Sequence, residues 1–158
     1  GQSVSEIAKQ AAVPDDHASL CLRALQARGL ISARRQSRWV HYFSSPDPLV
    51  PAAAHILAVV SRAILTEKWT TDRIIHNLTA YTHPRRLTVL YCLLTKGNLA
   101  TPVLAQETHI SRQALARHLN KLSERKMIVD KDAAWSLHPD RSFFSETFLQ
   151  LIARHADL

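Results

Sequence analysis

The feature that most constrains this chain is an internal repeat. Residues 7–31 return without a gap 97 positions later, so that Ile7 falls on Leu104 (104 − 7 = 97). Ala8 then meets Ala105, Val13 meets Ile110, Leu22 meets Leu119 and Leu25 meets Leu122. Arg28 meets Arg125, Leu30 meets Met127 and Ile31 meets Ile128. Two unrelated amphipathic helices would share Leu22 and Leu25 through helical period alone. They would not hold the register through a turn at Val13/Ile110 and an exit at Leu30-Ile31. Fixed-period self-similarity means that one supersecondary unit is used twice.

Each copy reads helix, tight turn, helix, hairpin. In the later copy a short helix opens at Thr101 or Pro102 and runs through Gln106, with a turn at residues 108–110. Ser111 is a suitable N-cap, since its hydroxyl can accept from a free amide of the next helix. That helix, 112–125, places Leu115, Leu119 and Leu122 on one face and Gln113, Arg117, Asn120, Lys121 and Glu124 mostly on the other. In the earlier copy the second helix spans 14–27, with Pro14 in the first turn and Gly29 as a left-handed stop. A hairpin is predicted over 31–43, turning at Gln36-Ser37 and bearing Arg34, Arg35 and Arg38. Its counterpart over 129–137 is shorter.

Composition agrees with a mainly helical protein. The 158 residues include only 3 Gly, a residue that costs a helix about 1 kcal/mol relative to Ala. An excess of 20 Lys+Arg over 13 Asp+Glu gives +7, which suits a polyanionic partner without requiring one. Cys21 and Cys92 sit in apolar patterns, as reduced cytosolic thiols do. The opening residues do not resemble a signal peptide. The apolar stretch 51–65 is too short and too interrupted for a membrane span, which needs about 20 residues. A cytoplasmic protein is expected.

The stretch His83-Pro-Arg-Arg-Leu-Thr-Val-Leu-Tyr-Cys-Leu-Leu-Thr-Lys-Gly97 resembles the opening helix of ArsR-type bacterial transcriptional regulators. Ala116-Arg-His-Leu119 resembles that family's recognition-helix "S-x-H-L", with Ala for Ser, and Ser19-Leu-Cys-Leu22 keeps the Ser but has Cys21 for the His. Gly29-Leu-Ile31 and the basic hairpin resemble the family's "G-L-V" and wing. The likeness covers about two-thirds of the chain, and the first copy lacks the opening helix. It implies a mainly α fold: two winged helix-turn-helix units with small β-hairpin wings, joined by central interface helices. The expected organisation is 1–46 for the first unit, 47–81 for the central helices, 82–139 for the second unit and 140–158 for a C-terminal packing helix. The helix at 51–65 is apolar on nearly all sides and is expected to be buried on more than one face, as an interface element within the chain or between two chains. Ile74, Ile75, Leu78 and Tyr81 are expected on one face of a helix over 71–81, and Phe144, Phe148, Leu151 and Ile152 form a further apolar stripe.

The resemblance further implies a sequence-specific regulator of transcription that binds double-stranded DNA as a homodimer or an intrachain pseudo-dimer, without catalysis. The family's metal-sensing Cys-x-Cys falls on Ser3 and Ser5, and on Ala100 and Pro102, so soft-metal ligands are missing. No cofactor or metal is expected, and His55, His76, His83 and His155 are read as surface or partly buried imidazoles. No phosphate loop or nucleophile–base motif is present. In such a fold the second helix enters the major groove and the wing meets flanking DNA. The expected DNA-contacting residues are Arg112, Gln113, Arg117, His118 and Lys121 of the second copy, with Arg34, Arg35 and Arg38 of the first hairpin. The first copy opens its second helix with Asp15-Asp16 and exposes Leu20, which disfavours DNA there. Two alternatives follow: a winged-helix interaction or dimerisation module without DNA binding, and the winged-helix part of a larger enzyme whose catalytic domain lies elsewhere.

Overall fold

The computed structural model describes residues 1–138 and 142–155. The expected boundary at 139/140 and the last residues, 156–158, lie outside the described residues, as does the side chain of His155. The protein is mainly helical with small antiparallel hairpins. It divides into two compact units, Gly1–Val59 and Val60–Leu158.

Unit 1 begins with β1 (Gln2–Ser3), α1 (Val4–Ala11) and α2 (Asp15–Ala27). The hairpin β2 (Ser32–Gln36) and β3 (Trp39–Phe43) follows, and α3 (Ala53–Leu65) runs through the unit boundary. β1 pairs antiparallel with β3, giving the strand order β1-β3-β2. A two-residue strand leaves no period to read, and β1 was not expected. Ser3 doubles as the N-cap of α1 in a capping box with Glu6, whose carboxyl is held below its usual range by the Ser3 amide and then the Ser3 hydroxyl. Pro14 is the N-cap of α2, one position before its expected place. The hairpin turns at Ser37-Arg38, one residue beyond the predicted turn, because Ser37 takes the positive φ of 58°.

Unit 2 contains α4 (Thr71–Leu78), α5 (Pro84–Lys96), α6 (Thr101–Thr108) and α7 (Arg112–Glu124), then β4 (Ile128–Lys131), β5 (Ala134–Leu137) and α8 (Phe143–His155). α6 runs two residues past its expected end and stops at His109, which adopts the left-handed conformation. Ser111 caps α7 as expected, accepting from Ala114 N at 3.4 Å. α4 ends at Leu78, not Tyr81, because two guanidiniums take carbonyls there. Arg125 Nε donates to His76 O at 2.9 Å, and Arg86 donates to Thr79 O and Ala80 O. Ile75 is correspondingly 53% exposed and not on the buried face with Ile74. Tyr81 stacks on Phe148 at 4.4 Å, and Trp69 on Phe144 at 5.2 Å, so the C-terminal stripe is core as expected.

The 97-residue offset reappears in the backbone. Adding it to the bounds of α1 (4 and 11) gives 101 and 108, those of α6; adding it to α2 (15 and 27) gives 112 and 124, those of α7. Ala12 and His109 both turn left-handed, at φ 53° and 54°. Arg28 and Arg125 end their helices at φ −96° and −90°, each followed by a positive φ at Gly29 and Lys126. The likeness extends to the first strand: Gln2 pairs with Tyr42, and Leu99 (99 − 2 = 97) bridges Trp135. The two copies are filled differently. Phe144, Leu90, Leu104, Leu115, Leu119, Leu122, Met127, Ile128 and Val89 are all essentially fully buried, and all belong to unit 2. At matching positions unit 1 has Ala18 for Leu115 and leaves Leu25, Leu30 and Ile31 partly exposed.

Within this one chain the apolar α3 is covered along a single stripe. Ala53, Val59 and Ala63 are buried, whereas Ala54, His55, Ala58, Ile64 and Leu65 are exposed, so one stripe is covered and not several faces. Ala at two of the three buried positions gives that stripe little side-chain bulk. Among the described residues no helix is long and apolar enough to cross a membrane.

Candidate nucleic-acid interface

α7 is positioned from below by Leu115, Leu119 and Leu122, each at most 2% exposed. These side chains lock the helix rotation, and Arg112, Gln113, Arg117, Asn120 and Lys121 stand on its exposed side. Among the described residues none of these five side chains makes a hydrogen bond or ion pair; the Lys121 carbonyl accepts from Arg125 Nη1 at 2.7 Å. The face therefore offers two guanidiniums, an ammonium and two amides. Arg and Gln can each make paired hydrogen bonds to a base edge, while Lys is a point charge suited to phosphate.

His118 departs from its expected exposure. It is half-buried, with its ring 4.7 Å from that of His83 and its Nδ1 shut off from solvent without a hydrogen-bond partner. Position 118 lies three residues after Leu115 and four before Leu122, so it flanks the buried stripe on a helix. Burial, then the neighbouring His83, Arg86, Arg85 and Lys121, push its pKa below the usual imidazole range. His83 is the N-cap of α5, and its Nδ1 accepts from Arg85 N at 3.2 Å. Arg86, which sequence reasoning did not single out, is only 8% exposed and is likewise held below the usual guanidinium range by burial and then by Arg125. His83, Arg86, Arg117, His118, Lys121 and Glu124 line an open cleft of about 380 Å³ beside the exposed face. A signal for Arg86 was present in the sequence: it lies three and four residues before Val89 and Leu90, on the buried side of α5.

In unit 1 the positions matching Arg112, Gln113 and Arg117 are Asp15, Asp16 and Leu20. Asp15 Oδ2 accepts from Ser5 Oγ at 2.6 Å, and Asp16 Oδ1 accepts from His17 N at 2.8 Å. The carboxylates suit the start of α2 through its dipole and repel phosphate. Leu20 is 65% exposed. The cations of this unit are on its hairpin: Arg34, Arg35 and Arg38 are all exposed. Arg34 lies over the Phe43 ring and Arg38 over the Trp39 ring, 5.4 and 5.3 Å from the centroids. Arg35 Nε donates to Ser37 O at 3.1 Å, which ties it to the turn. The hairpin of unit 2 turns instead on Asp132 and Ala133, both at positive φ, and presents Asp130 and Asp132.

Among the described residues no group of three or more His, Cys, Asp or Glu side chains could hold a metal ion. Compared with protein-family models, curated proteins and solved structures, the chain matches none of them.

Proposed function

We propose that the chain is a sequence-specific DNA-binding transcriptional regulator built from two winged helix-turn-helix units, similar in kind to ArsR-type regulators and without catalysis. The observation that carries the proposal is the contrast between α7 and α2. Two helices with matching bounds sit at the same place in a helix–turn–helix–hairpin unit, and one has two guanidiniums and an amide where the other has two carboxylates and a leucine. In this reading Arg112, Gln113 and Arg117 of α7 meet base edges, and Lys121 and the hairpin residues Arg34, Arg35 and Arg38 meet phosphates. Binding to duplex DNA from a random-sequence selection tests it, and the affinity should fall linearly with log salt.

A second reading is favoured by unit 1. Leu20, Leu25, Trp39 and Val40 are exposed large apolar side chains on α2 and the hairpin, close in sequence to Asp15 and Asp16. A surface of this composition suits a protein partner better than DNA. The two readings are compatible if α7 and the hairpin arginines meet DNA while α2 engages a partner, which includes a second copy of the chain.

A further inference from the structure

We propose that the cleft lined by His83 and Arg86 of α5 and by Arg117, His118 and Lys121 of α7 is an oxyanion site that takes a phosphate group. Four observations converge on it. Arg86 is more than nine-tenths buried, yet no ion pair among the described residues includes it. Its hydrogen bonds to Thr79 O and Ala80 O satisfy donors but leave the net charge uncompensated. His118 keeps a buried ring nitrogen without a partner. Lys121, exposed and part of the cleft lining, supplies a flexible donor. The cleft also opens at the start of the 13-residue α5, whose dipole adds positive potential.

A buried cation without a counter-charge is costly, and an oxyanion in the cleft would offset that of Arg86. Glu124 is the one carboxylate on the cleft; it is two-thirds exposed and 3.9 Å from Arg125 Nη1. A volume of about 380 Å³ exceeds that of a bare phosphate and leaves room for an ester substituent. The group could come from a nucleic-acid backbone or from a free phosphomonoester. Only the first source rests on the DNA reading above.

The test is NMR of the histidine side chains in the full chain, titrated with inorganic phosphate at constant ionic strength and without DNA. The His83 and His118 signals should shift saturably. His118 faces His83, Arg85 and Arg86 from α5 and Lys121 on its own helix, so an anion among them should raise its midpoint. Lys121→Ala, confirmed as folded, should weaken phosphate binding about tenfold, the effect of one lost charge-assisted hydrogen bond. Lys131→Ala, outside the cleft, should bind as wild type. Arg86 is left intact because it also holds the end of α4. Added random duplex that displaces phosphate identifies a backbone phosphate as the occupant, and a phosphate affinity unchanged by duplex identifies a free ester; both support the site. Shifts that do not saturate, or that weaken equally in Lys131→Ala, overturn it as the response to an adventitious ion only. Phosphate binding without duplex binding would uphold the site and remove the DNA reading.

Discussion

Arg117 and Arg38 are both exposed arginines, yet they are proposed to do different work. A base-reading arginine contributes about 1–3 kcal/mol of discrimination at one position. Arg117→Ala should therefore narrow the gap between a selected site and random duplex. A phosphate contact carries no sequence information, so Arg38→Ala should weaken both duplexes in parallel and lower the salt slope by about one. Competition binding over a salt series separates the two. His118 gives a prediction independent of DNA. Its pKa is lowered in the folded protein, so below the unfolded-state value of about 6.5 the unfolded chain binds the extra proton more readily. Stability should be full above that pH and fall as the pH drops from it toward the lower folded value. Denaturant melts should show this component in the wild type and lose it in His118→Gln. The exposed face of α7 was legible from sequence because Leu115, Leu119 and Leu122 fix the helix rotation. The burial of His118 was not, since it depends on His83, an N-cap brought from 35 positions away (118 − 83).

At the scale of elements, the repeat could be read because its apolar spacing survives in both copies through the turn and the exit. What it could not convey was strand β1, too short for a pattern, or the early end of α4, which depends on guanidiniums from α5 and the end of α7. The matching exits yield a paired test. Gly29 and Lys126 (29 + 97 = 126) both hold a left-handed backbone, at φ 69° and 53°. A side chain in that conformation costs of order 1–3 kcal/mol, and a Cβ on Gly29 would also approach Val50 Cγ2 to 2.5 Å. Gly29→Ala should destabilise by at least that amount, whereas Lys126→Gly should raise stability, as read by thermal melts. For α3, composition shows how apolar a helix is, and the structure adds that one chain covers a single stripe of it. Val59 is nevertheless 4% exposed, and Val59→Asp should unfold the protein or cost at least about 3 kcal/mol, because it buries an unpaired charge.

Across the whole molecule the two copies divide in how their cores are filled as well as in charge. The largest fully buried side chains all lie in unit 2, while unit 1 substitutes Ala18 for Leu115 and exposes Leu25. Local opening follows the amount of buried apolar contact, so amides of α1 and α2 should exchange with deuterium well before those of α5, α6 and α7. A uniform pattern would show that the smaller core of unit 1 is compensated elsewhere. The charge division is the functional counterpart: a firmly packed unit presents the cationic α7, and a thinly packed unit presents acidic and apolar side chains on the matching helix. Whether α7 reads DNA sequence can be decided by one experiment. Fluorescence anisotropy would compare a duplex enriched by selection with a random duplex of equal length, for the wild type and for Arg117→Ala, across a salt series. The selected duplex should bind more tightly and in a salt-dependent way, and Arg117→Ala should lose most of that preference. No duplex binding by the wild type at low salt, or a preference untouched by Arg117→Ala, would contradict sequence reading by α7.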